Sequence, residues 1–92
     1  MIPQKRMKLG EMRKGSKAII ASVGASENAD LELVGRLLEM GLLEGSLVEV
    51  IHEAPFGGDP FAIRVRGVLI ALQRQLANMI EVFDYESGYQ SK

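Results

Sequence analysis

Apolar and polar positions alternate with a period of two through Phe61-Ala62-Ile63-Arg64-Val65. Phe61, Ile63 and Val65 therefore share one face, and Arg64 and Arg66 the other, which predicts a strand with one buried side. Lys17 to Val23 is rich in β-branched residues between Gly15 and Gly24 and reads as the first strand. Leu47 to Glu53 is the second. Gly67 turns the chain from Phe61–Val65 into a hairpin partner, Val68 to Leu72. Met79 to Phe83 is the last strand. Between the first and second strands the period changes. Leu31, Val34, Leu37 and Leu38 fall at near-helical spacing, which predicts a helix from about Asp30 to Met40 with one apolar face. Asn28 or Asp30 caps its first turn. Gly41 sits at the left-handed position that ends a helix, where a side chain would clash. Gly35 lies inside the helix at a cost of about 1 kcal/mol relative to alanine. It marks either a close backbone approach or a tolerated weak point.

Shorter pieces fill the gaps. Met7 to Met12 predicts one helical turn that buries Leu9 and Met12, and Gln73 to Asn78 predicts another. His52 to Pro60 is a long loop with two prolines and two glycines. Met1 to Lys5 is a loose start. About five short strands with Gly/Pro turns are best closed into a small barrel, because closure removes exposed edges. The expectation is a mainly β fold: one domain over residues 1–83, one α-helix, short helical turns, and a polar, flexible tail over 84–92.

Composition sets the limits. Ninety-two residues suit one domain with a modest core. Cysteine is absent, which removes disulfides and thiolate chemistry and fits a reducing compartment. No apolar run approaches the roughly 20 residues of a membrane span, and no h-region follows the basic start. A cytoplasmic location is the default. The net charge of −1 is uneven. Lys5, Arg6, Lys8, Arg13, Lys14 and Lys17 precede Ile20 against Glu11 alone, and the remainder is acidic. Such a basic segment suits an acidic partner or a membrane surface or, more simply, a solvated arm and turn.

Catalytic chemistry is sparse. The serines have no second histidine or base spacing to form a triad. No phosphate-cradling glycine motif occurs, so nucleotide hydrolysis is unsupported. Nucleic acid would need a basic, aromatic-bearing face, and the net charge is wrong for it. For metals, His52 is the single histidine. Glu53 adjoins it and Asp59 follows, with Glu44 and Glu49 nearby. A stable site normally needs three or four ligands, and on a strand His52 and Glu53 point to opposite faces. His52, Glu53 and Asp59 are therefore weak candidates for a divalent Fe2+ or Zn2+ ion. Protein recognition remains. Pro55 and Phe56 ride on a long loop, Arg64 and Arg66 form a charged patch, and Arg36 and Met40 flank the helix's apolar face. The alternatives are that Phe56 lids the barrel and that the arginines are solvated. The chain reads as a binding module, not an enzyme, and its apolar fraction with several methionines allows a homodimer.

An ordered set of motifs carries a family likeness. Arg36-Leu37-Leu38-x-Met40-Gly41-Leu42-x-x-Gly45 is followed by Val48-x-Val50, Pro55-x-Gly57-x-Asp59-Pro60, Val65-x-Gly67 and Ile70-Ala71-Leu72. Leu9-x-x-Met12-x-x-Gly15 opens the set and Ala77-x-x-Ile80-x-Val82 closes it. This resembles the ferrous iron transport protein A (FeoA) family. The resemblance implies an SH3-like barrel with a helical insertion. It implies a small cytosolic accessory that binds and modulates the FeoB-type ferrous iron transporter through its cytosolic GTPase region, meeting the membrane only through that partner. It also implies a relation to the C-terminal domain of iron-dependent repressors, hence the alternative of a transition-metal-responsive module. Gly57-Gly58 and Gln73-Arg74-Gln75 depart from the family pattern.

Overall fold

The structure, a computed structural model, describes residues 6–25 and 27–84. The elements are β1 (Arg6–Lys8), a 3-10 turn (Leu9–Glu11), β2 (Lys17–Val23), α1 (Leu31–Glu39), β3 (Leu47–Glu53), β4 (Phe61–Val65), β5 (Val68–Leu72), α2 (Arg74–Ala77) and β6 (Ile80–Asp84). The four strands β2 to β5 and the helix fall where hydrophobic periodicity puts them. The loose start at 1–5 lies outside the described residues, as does the tail beyond Asp84, whose backbone ends β6.

All strands belong to one antiparallel sheet in the order β1-β6-β2-β3-β4-β5. One strand was not expected. Arg6 to Lys8 pairs with β6, with Met7 opposite Val82, before the chain tightens into its 3-10 turn. Leu9 and Met12 are buried as expected. Among the described residues β1 and β5 are edges, so hydrogen bonding does not run fully round the barrel. β1 is only three residues long and pairs on one side, with β6.

The core comes from alternate positions of the strands: Ala18 and Ile20, Val48 and Val50, Phe61, Ile63 and Val65, and Ile80 and Val82. Leu9, Met12, Leu37, Leu42, Leu72 and Ala77 close its ends. None of the described polar or charged residues is buried there. Area removed from water is therefore the main stabilising term, at about 25 cal/mol per Å².

α1 starts where Asp30 Oδ1 accepts the amides of Glu32 (3.0 Å) and Leu33 (3.3 Å), so Asp30 is the cap. It ends in a Schellman motif. Gly41 has φ +96°, its amide donates to Leu38 O (3.0 Å), and Leu42 N donates to Leu37 O (3.2 Å). Leu37 and Leu42 are both buried, supplying the motif's hydrophobic contact. The expected apolar face is narrower than the spacing suggests. Leu31 is 80% exposed and Leu38 is exposed, because Leu37 alone in α1 is buried. A Cβ on Gly35 would meet nothing within 4 Å, so this glycine is a tolerated weak point.

Candidate functional site

The β3–β4 loop, Ala54 to Pro60, is held from below by one side chain that sequence reasoning passed over. Arg74 opens α2, where its amide donates to Asp59 Oδ1 at 2.9 Å. Its guanidinium then fans out. Nε donates to Gly58 O (2.9 Å), Nη1 to Gly10 O (3.1 Å) and Met12 O (2.6 Å), and Nη2 to Glu53 Oε2 (2.7 Å). The group lies 4.4 Å over the Phe61 ring and its side chain is 15% exposed. Only arginine has a planar fork of donors able to reach a carboxylate and separate carbonyls at once while stacking on an aromatic face. Three remote segments are tied to α2 in this way: the 3-10 turn, the end of β3, and the loop. The one hint in the sequence was a lone arginine between two glutamines, in a segment that departs from the family pattern.

Above this anchor the loop turns through left-handed backbone. Phe56 has φ +60°, and Gly57 and Gly58 follow at +103° and +73°. For glycine this conformation is free, but for phenylalanine it costs about 1–2 kcal/mol. The aromatic ring recovers nothing by packing, since Phe56 is fully exposed. That removes the reading in which it lids the barrel. Backbone strain of this kind clusters at functional sites. Pro55 beside it is exposed as well.

The other contact candidates lie elsewhere. Arg66 is not on the strand face with Arg64. It occupies a two-residue turn with Gly67, where φ is +52° and +82° and Val65 pairs with Val68. Positive φ at both central positions makes this a type I′ hairpin turn. The turn stands at the opposite end of β4 from Phe56. There Arg66 Cδ lies 3.8 Å from the position a Cβ on Gly41 would take, which places it beside Met40, itself exposed at the helix C-cap. Arg64 pairs with Glu49 (3.6 Å) across β3–β4. Arg36 belongs to a third place, a cleft of about 750 Å³ between α1 and α2. Leu33, Leu76 and Met79 give the cleft apolar surface, and Lys8, Asp30 and Glu81 bring charge to it. The candidate contacts thus fall into a Phe56 end, an Arg66–Met40 end and an α1–α2 cleft.

The metal candidates are not drawn together. His52 is exposed on β3. The Glu53 carboxylate is committed to Arg74, with the Lys14 amide at 3.3 Å and Arg13 at 3.9 Å. Asp59 caps α2. Among the described residues no group of three or more His, Asp or Glu side chains could hold an ion. The donors among the described residues do not form a firm site for a resident metal.

The model of the FeoA domain matches residues 7–83, from β1 to β6. The chain belongs to the FeoA family. Solved FeoA structures agree with the fold. The FeoA protein from Chlorobium tepidum is 33% identical, with 85% of this chain and 70% of that one covered and a TM-score of 0.70. FeoA from Stenotrophomonas maltophilia, an SH3 domain protein complexed with zinc, is 27% identical, with 88% and 93% covered and a TM-score of 0.68. A manganese-dependent transcriptional repressor shares the fold at 17% identity and a TM-score of 0.74, with 89% of this chain and 43% of the repressor covered. No curated protein matches. The SH3-like architecture and the place in ferrous iron transport follow from family membership. No helix among the described residues is long and apolar enough to cross a membrane.

Proposed function

We propose that this FeoA-family protein is a non-enzymatic cytoplasmic adaptor of ferrous iron uptake. It docks on the cytosolic GTPase region of a FeoB-type membrane transporter and alters that region's conformation or assembly. The observation that carries the reading is Phe56, a fully exposed aromatic side chain on left-handed backbone above a loop pinned by Arg74. An aromatic anchor of this kind enters a partner's pocket with little ordering left to do. Arg36 in the cleft beside α2 is the second contact, and Pro55 stiffens the approach. Met40, Arg64 and Arg66 form a separate surface at the far end of the barrel.

The alternative of a transition-metal-responsive module draws on the zinc-complexed Stenotrophomonas maltophilia relative. The adaptor reading is preferred because Glu53 and Asp59 already serve Arg74.

The test is an amide-resolved NMR titration with the soluble GTPase domain of the cognate transporter, repeated with ferrous ion alone. Shifts over Ala54 to Phe61 and along α2, seen with the partner only, are expected. Phe56→Ala should weaken binding about 30-fold, the cost of losing one interface anchor. Unchanged affinity in a Phe56→Ala, Arg36→Ala double variant would remove this surface. Shifts confined to the surroundings of His52 with metal alone would favour the module reading.

A further inference from the structure

The β5 edge has an open ladder and none of the usual protections. Val68-Leu69-Ile70-Ala71-Leu72 contains no charge, no proline and no bulge, and among the described residues nothing pairs with its outer side. Edge strands are normally blunted by such devices because their free N–H and C=O groups template another strand. Val68 and Leu69 are 54% and 59% exposed, and Ala71 is exposed with them.

The type I′ turn settles which groups are free. In a two-residue hairpin the closing pair, Val65 and Val68, is hydrogen-bonded, and bonded pairs recur at every second position. Ile63–Ile70 and Phe61–Leu72 are therefore the bonded pairs. Val68, Ile70 and Leu72 spend their backbone groups on β4. Leu69 and Ala71 point theirs outward.

We infer that a second copy of this chain pairs with β5 through a two-fold axis at Ile70. An antiparallel copy centred there sets Leu69 opposite Ala71 of the other copy, and Ala71 opposite its Leu69. All the outward donors and acceptors then meet in closely spaced pairs, with no residue of β5 left over. The side chains match as well. On the solvent face each Leu69 lies across from a small Ala71. On the core face Ile70 meets its own copy, and Val68 meets Leu72. No like charges are opposed within the strand, a condition that a self-pairing edge must meet and a foreign strand need not. The partner is thus specified by the strand's own symmetry. A second copy extends the sheet across the axis and covers the apolar side chains at this edge. The contact is narrow, so association is weak and reversible.

Amide exchange of the full-length protein, read at Leu69 and Ala71 from about 20 µM to about 1 mM, tests this directly by mass action. Protection at both amides that grows with concentration, alongside a monomer-to-dimer shift in sedimentation velocity, is expected. Leu69→Lys places a charge on the edge and should raise the dimer dissociation constant at least about tenfold; because it also faces Arg64 on β4, the melting temperature should fall by a few degrees. Ala71→Pro deletes one outward N–H without touching the β4 ladder and should do the same; its fold is checked by the β4–β5 cross-strand signals. Amides that stay unprotected at every concentration would overturn the proposal. So would protection that does not depend on concentration, which would mean that another part of the same chain covers the edge. Equal dimerisation of wild type and Leu69→Lys would place the contact elsewhere and overturn it too.

Discussion

Glu53 Oε2 and Arg74 Nη2 lie 2.7 Å apart, and this ion pair joins the end of β3 to the start of α2 beneath the Phe56 loop. Removing Arg74 orphans more than its charge partner. The carbonyls of Gly10, Met12 and Gly58 lose their donors, and Phe61 loses its cation. Arg74→Ala is expected to cost about 3 kcal/mol, the penalty for stranding a paired, largely buried charge. In a domain of this size the melting temperature should fall by more than about 10 °C. Arg74→Lys retains the charge but loses the fork, and should recover less than half of the loss in urea unfolding.

Phe56→Gly separates recognition from folding. Glycine accepts φ +60° without the side-chain clash, and no packing is lost from a fully exposed ring. The variant should be as stable as the parent or more so by up to about 1 kcal/mol, while the proposed docking on a transporter's GTPase region should weaken. Destabilisation by more than about 1 kcal/mol in urea would mean that the ring has a packing role.

Gly10→Ala tests the approach of the 3-10 turn to α2. A Cβ there would collide with the Arg74 carbonyl and the Asn78 side chain. Backbone cannot give way as a flexible side chain can, so a loss of about 2 kcal/mol is expected from chemical denaturation.

Chelation should leave the fold untouched. The core is built from apolar residues, and no metal-binding group of three appears among the described residues. Melting temperatures with and without EDTA should agree. A fall on chelation would show that a resident ion contributes to folding.

The helix variants show how far periodicity reads the fold. Leu37→Ala should cost about 3 kcal/mol, as for a buried leucine. Asp30→Ala should cost about 1 kcal/mol through the lost cap. Leu31→Gln should change stability by less than about 0.5 kcal/mol, since that side chain is in water. Thermal or urea unfolding distinguishes these cases.

Leu31 and Leu37 look alike in the sequence. A spacing rule identifies a face but not its width, which depends on how the helix sits against the sheet. β2, β3, β4 and β5 were legible because alternation and turn glycines are local signals. β1 was not, because Arg6-Met7-Lys8 is too short to show a period and exists as a strand only through β6. Arg66 was misread for a related reason: alternation continued past Val65 places it on a strand, whereas the I′ turn had already begun. Arg74 was hidden because its partners at Gly10, Met12, Glu53 and Gly58 are far away in sequence. The Phe56 loop was legible as a loop from its prolines and glycines, but its separation from Met40 and Arg66 required the strand register.

The pairing of Arg6 with Phe83 has a consequence for how such a barrel can be reused. The first and last strands run side by side, so the points where the chain enters and leaves the domain are neighbours. A unit with adjacent entry and exit can be spliced into a longer polypeptide, or hung from the end of one, with little disturbance to its core. That geometry makes it portable, and it suits a fold found both as a free-standing FeoA protein and within a much longer repressor chain.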